Sequence, residues 1–247
     1  LYRPFDIRQI YYLPWMIDWP RTEAMPHMVA GDNIAIMVGR AGHVIGPGEW
    51  EIVFASRMMS DLNCFRRGGN NLFPLYLYPR VGRSVESMFH DWPEGTEGRR
   101  PNFDVEFVRA FEKATKLFFQ SDGYGDLSKT FGPEDVLAYI YAIFYCPSYR
   151  TRFKPMLKLD FPRVPTPIAQ APFLSLVRLG HALLSAHLLE STALDSFITT
   201  RIEPGESEVK KVSYSDETVW IDEARKCGFI GVPEKVWNFS IGGYQVC

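Results

Sequence analysis

Cysteine is scarce in this sequence, and its four residues, Cys64, Cys146, Cys227 and Cys247, stand singly. No C-x-x-C pair and no histidine at a metal-ligand interval accompanies them, which excludes the common zinc patterns and predicts free thiols in a reducing compartment. Long apolar runs are also missing. None reaches the roughly 18 residues of a membrane span, and the opening LYRPFDIRQ is unlike a signal peptide. The expectation is a cytoplasmic chain with no membrane partner.

Catalytic signatures are lacking too. GRAGHVIGPG, residues 39–48, is rich in glycine but has neither a P-loop lysine nor G-x-G-x-x-G spacing, so it reads as a hairpin loop. No G-x-S-x-G elbow, no Cys–His pair and no Asn-Pro-Pro-Tyr or Asp-Pro-Pro-Tyr loop occurs. His27, His43, His90, His181 and His187 stand apart, and the two on one helical stretch are six residues apart, on different faces. A Mg²⁺-dependent nuclease needs an Asp and a Glu-x-Lys at adjacent strand ends. Glu208, Val209 and Lys210 supply the tripeptide but no Pro-Asp precedes it, and an exposed acidic hairpin is the competing reading. The chain is expected to carry no catalytic residue, metal or cofactor of its own.

What is present is a folded, aromatic-rich chain: 247 residues, 46% hydrophobic and 15% aromatic against 23% charged, enough for one large domain or two small ones. A net charge of -2 hides a segregated distribution. Residues 57–83 hold five arginines and one acid, whereas residues 201–223 hold seven acids and three bases.

Hydrophobic periodicity divides the chain into a strand-rich part, residues 1–92, a helical part, residues 93–195, and a mixed tail, residues 196–247, which together predict an α+β fold. The predicted strands are residues 7–13, 33–40, 50–57 and 72–78, with a short helix over 22–29 whose Pro26 must lie near its start. Polar PEGTEGRRPN, residues 93–102, is the boundary. Phe107, Phe111, Ala114 and Phe118 recur on one helical face. Pro133, followed by Glu134 and Asp135, starts a second helix, because the helix dipole favours acids in the first turn. PFLSLVRLGHALLSAHLLES is a third, and the proline-rich residues 161–172 make an extended connector. Short strands are expected again after Asp195.

Several blocks then carry a family resemblance: YRPFDIRQIYY with MPHM, LFPLYLYPR followed by RRPNF, PEDVLAYIYAIFYCPSYRTRFKPMLKLDFPRVPTP, LVRLGHALLSAHLLES, and GVPEKVWNFSIGGYQVC. In this order they resemble the C-terminal target-recognition region of type ISP restriction-modification enzymes, over essentially the whole chain. In that family one polypeptide joins a nuclease, an ATP-dependent translocase, an adenine-N6 methyltransferase and a recognition domain. The resemblance implies that the chain binds duplex DNA and presents a target adenine to a methyltransferase domain of the same polypeptide. It places S-adenosylmethionine, and with a translocase and nuclease ATP and Mg²⁺, in the parent enzyme. A start without methionine and an end without a polar tail are taken as marks of an excised piece.

Within that frame, side-chain chemistry nominates the readers. Arginine pairs bidentately with guanine and asparagine with adenine. RRGGNN therefore nominates Arg66, Arg67, Asn70 and Asn71 for base edges, with Ser60 and Asn63 behind them and residues 41–49 as a second reading loop. Arg40, Arg57, Arg80 and Arg83 are nominated for phosphates. Tyr2, Arg3, Pro4, Phe5 and Asp6 are expected to form a rigid opening strand, with Asp6 and Arg8 a local polar pair. Two alternatives remain open: a docking module whose aromatic helices bind a partner, and a nuclease acting through Glu208 and Lys210.

Overall fold

The structure, a computed structural model, describes residues 1–13, 15–40, 50–66, 68–79, 98–202 and 208–247. After the short helix α1 (Met25–Val29), with Pro26 in its first turn as expected, three antiparallel strands form a sheet in the order β2–β1–β3. They are β1 (Ala35–Gly39), β2 (Val53–Ser56) and β3 (Asn70–Pro74), and Met37 of β1 stands opposite Phe54 and Leu72. Every residue of β1 and β2 is buried, so these strands are apolar without alternation because both sheet faces are covered.

The run at residues 72–78, expected as one strand, is broken after Pro74. Proline has no N–H to continue a ladder, and β3 lies at the sheet edge. The chain resumes as β4 (Tyr76–Leu77), which pairs with β5 (Arg100–Pro101). Asn33 fills the break: its amide donates to the carbonyls of His27 and Tyr76, and its Oδ1 accepts from Ile34 and Tyr76 N–H.

Residues 7–13 are not a strand. Without a partner to pair with, Ile7, Ile10 and Tyr11 lie exposed in irregular backbone. The predicted opening strand is likewise a tight turn, closed by an Arg3–Asp6 bridge with Phe5 at φ 63°, while Asp6 and Arg8 do pair at 2.8 Å.

The helical part begins with α2 (Val105–Thr115), capped by the Asp104 carboxylate, which accepts from the N–H groups of Glu106 and Phe107. The helix stops at Lys116, in left-handed backbone at φ 61°. Phe118 therefore leaves the expected helical face and stands exposed in β6 (Phe118–Phe119), paired in parallel with β7 (Thr130–Phe131). α3 (Pro133–Tyr145) is followed by the short α4 (Pro147–Arg152) and α5 (Lys154–Leu157), then by α6 (Gln170–His187). Phe111, Phe131, Tyr139 and Phe173 pack ring against ring where α2, α3 and α6 meet. The extended connector is pinned by hydroxyls, Tyr139 donating to the Pro165 carbonyl and Tyr149 to that of Arg163.

The tail forms a second sheet in the order β8–β11–β10–β9, from β8 (Thr200–Ile202), β9 (Ser213–Ser215), β10 (Thr218–Trp220) and β11 (Gly228–Ile230). A turn of helix, α7 (Glu234–Trp237), leads to a hairpin of β12 (Ser240–Ile241) and β13 (Tyr244–Gln245). The fold is thus α+β, with all four cysteines free. No helix among the described residues is long and apolar enough to cross a membrane.

His187, at the end of α6, fits between the two parts. Its ring stacks on Phe54 of β2, and its Nδ1 lies 2.7 Å from the Tyr141 hydroxyl. Burial, and then the positive charge of Arg150, push the imidazole down to about 4, so it stays neutral near pH 7. The unfolded chain, whose histidine titrates near 6.5, binds the extra proton first as pH falls. Stability on the order of 3 kcal/mol is therefore present above pH 6.5 and lost between about pH 6.5 and 4. Urea titrations across that window are expected to show this slope in the wild type and a flatter one in His187→Gln.

Candidate nucleic-acid interface

The arginine-rich turn is built from its flanks inward. Asp61 caps a single 3₁₀ turn (Leu62–Cys64) by accepting the Asn63 N–H at 2.7 Å, and Phe65, fully buried, anchors the chain after it. Gly68 and Gly69 then take φ 78° and 85°, conformations that a side chain would strain. This double left-handed step reverses the backbone into β3 and leaves Arg66 exposed at the turn, with Asn63 exposed beside it.

The asparagines behave differently. Asn70, expected as a surface reader, is buried: β3 pairs it with Gly39, and the alternation of the strand turns residues 70, 72 and 74 inward. Its amide donates to Ser60 Oγ at 2.7 Å and to the Asp61 carbonyl at 2.9 Å, which also accounts for the burial of Ser60. The Asn70 Oδ1 is buried with no hydrogen-bond partner among the described residues. Asn71, half-buried, donates back to the Gly69 carbonyl at 3.0 Å. Ser60, Asn70 and Asn71 line a cavity of about 730 Å³ whose other walls include Arg8, Tyr12, Trp19 and Arg21.

Of the nominated phosphate contacts, Arg40 is exposed, 3.5 Å from Asp160. Arg57 meets Glu190 through two hydrogen bonds, at 2.5 and 3.1 Å, and so ties the end of β2 to the segment after α6. Arg67, Arg80, Arg83 and the loop 41–49 lie outside the described residues. Glu208 is exposed, and the Lys210 backbone N–H pairs with the Ile221 carbonyl.

Two neighbours of the turn carry no local sequence signal. The Arg3 guanidinium lies over the rings of Tyr244, at 4.7 Å, and Tyr2, at 5.1 Å, a cation–aromatic cluster joining opposite ends of the chain. The β12–β13 hairpin sits directly on the turn. The Arg66 N–H donates to the Gly242 carbonyl at 2.7 Å, and the Gly242 and Gly243 N–H groups donate to the Glu51 carbonyl and carboxylate, each at 3.1 Å. A Cβ at Gly242 would fall 2.1 Å from the Phe65 ring, so the hairpin needs glycine there to reach the turn at all.

The sequence profile of the family described as "Type ISP C-terminal specificity domain" matches residues 1–247. No curated protein matches the chain in sequence. Among solved structures its fold is similar to part of the ATP-dependent Type ISP restriction-modification enzyme LlaBIII bound to DNA, with a TM-score of 0.70 and 19% identity. It is similar also to part of DrdV in a complex with DNA, at 0.67 and 21%. A third is a nuclease-deletion mutant of the Type ISP enzyme LlaGI in complex with a DNA substrate mimic, at 0.61 and 19%. In each case 99% of this chain is covered, against 14%, 22% and 16% of the other chain, so it spans a seventh to about a fifth of those proteins.

Proposed function

Because the chain belongs to the Type ISP C-terminal specificity domains, we propose that it reads a short sequence in duplex DNA on behalf of a larger restriction-modification enzyme. Its task there is to position a target adenine for N6-methylation by a methyltransferase domain of the same polypeptide, which uses S-adenosylmethionine. Where that polypeptide also carries a translocase and a nuclease, ATP and Mg²⁺ serve those domains. This chain contributes binding and orientation.

The observation that carries this reading is the exposed Arg66 directly after the buried anchor Phe65. The buried Phe65 ring and the hydrogen bond from the Arg66 N–H to the Gly242 carbonyl hold the backbone at Arg66, so the guanidinium meets a base edge with little ordering of the main chain left to lose. Such a bidentate contact discriminates by about 1–3 kcal/mol. Arg66→Ala in the full-length enzyme is expected to weaken binding to the preferred site by roughly 5- to 150-fold and to change binding to random duplex far less, as read by fluorescence anisotropy. Unchanged affinity and unchanged preference would remove Arg66 from the reader. Arg40 adds affinity that falls with salt and carries no sequence information.

A docking role also has support, though from other residues than the aromatic helix faces, whose rings at Phe111, Tyr139 and Phe173 are buried against one another. Ile7, Ile10, Tyr11, Trp15, Met16 and Trp19 are all more than half exposed within one short stretch. An apolar surface of that density suits contact with the methyltransferase domain.

A further inference from the structure

We propose that the C-terminal hairpin positions the reading turn and that Glu51 is the residue through which it does so. This inference rests on the DNA-reading role of Arg66. Glu51, just before β2, is half-buried and grips the hairpin at three points. Its Oε2 accepts from Ser240 Oγ at 2.8 Å, its Oε1 from the Gly243 N–H at 3.1 Å, and its backbone carbonyl from the Gly242 N–H. The hairpin so held presents the Gly242 carbonyl to the Arg66 N–H at 2.7 Å, and Gly242 closes over the Phe65 ring.

The backbone leading into Arg66 is thereby fixed: by a buried ring before it, and at the residue itself by the hydrogen bond that its N–H donates to a distant segment. A guanidinium at the end of a long side chain magnifies small backbone rotations, so an unbraced turn still attracts DNA by charge but no longer aims at one base. Glu51 and Ser240 are thus positioning residues, needing no contact with DNA themselves. A purely structural brace would change stability; this one changes discrimination.

The test uses the full-length enzyme, a random-duplex selection to define the wild-type preferred site, and affinities for that site and for random duplex. Glu51→Ala is expected to lower the ratio of preferred to random affinity about tenfold, with random affinity and its salt dependence unchanged. Glu51→Gln, which keeps an oxygen for Gly243 and can donate to Ser240, is expected to restore the ratio to within about threefold of wild type. Ser240→Ala, removing one carboxylate contact, gives a loss of about two- to fivefold and decides the matter if Glu51→Ala does not fold. An unchanged ratio in these variants overturns the proposal, and so does an equal fall in preferred and random affinity. A wild-type enzyme that selects no sequence overturns the recognition reading itself, and this proposal with it.

Discussion

Asp135→Ala is expected to destabilise the domain by about 3–5 kcal/mol, measured by urea denaturation followed by circular dichroism. The sequence marks Asp135 only as an acid in the first turn of α3, where the helix dipole would reward it modestly. In the structure it is 1% exposed and organises its surroundings. Its Oδ2 accepts the N–H groups of Gly132 at 2.8 Å and Gly125 at 2.7 Å, and its Oδ1 lies 3.1 Å from His181 Nε2. Truncation strands two backbone donors, one of them the Gly132 N–H whose bond to Asp135 caps α3, each at a cost of about 1–3 kcal/mol, and removes the His181 contact as well. Asp135→Asn keeps one acceptor oxygen and is expected to lose about half as much.

Gly180→Val, one residue from His181, is expected to cost more than about 3 kcal/mol by the same measurement. Two effects oppose each other here. Replacing a mid-helix glycine by valine gains only about 0.3–0.5 kcal/mol of helix propensity, because the β-branched side chain is itself a poor helix former. Against it stands the crossing of α6 over α3, where a Cβ on Gly180 would lie 1.9 Å from the Ala138 carbonyl oxygen and 2.5 Å from its carbon. Both are backbone atoms, so no rotamer change relieves the clash and the helices must move apart. That separation loosens the Phe111, Tyr139 and Phe173 ring cluster and the Asp135–His181 contact together. The packing loss exceeds the propensity gain.

How much of this was legible in the sequence depends on whether the deciding interaction is local. α3 and α6 are, because Pro133 and the apolar stripes act within a few turns, and the buried strands β1 and β2 show as short apolar runs. Residues 7–13 carry the same apolar character but gain no partner strand, and a strand exists only in pairing. Phe118 keeps helical spacing with Phe111 yet lies beyond Lys116, where the backbone turns left-handed. In the candidate reader, the need for glycine at residues 68 and 69 is visible, because no other residue adopts those angles without strain. That Asn70 points inward is invisible, since it depends on the pairing of β3 with Gly39, set by a strand thirty residues earlier. The hairpin at residues 240–245 is further still from the turn it touches.

That distance has a consequence for how the domain is made. The contacts from Glu51 to Ser240 and Gly243 close loops of 189 and 192 residues. Their closure carries a large entropic cost that only an already compact chain has largely met. The sheet and the α3–α6 pair use nearer contacts and are expected to assemble earlier, and synthesis from the N-terminus delivers the hairpin after the segments it rests on. The hydrogen bond from the Arg66 N–H to the Gly242 carbonyl, of similarly long range, is therefore expected among the later contacts to form. A chain truncated before Ser240 is expected to keep the β2–β1–β3 sheet and the α3–α6 pair while losing the contacts that the hairpin makes with Glu51 and Arg66.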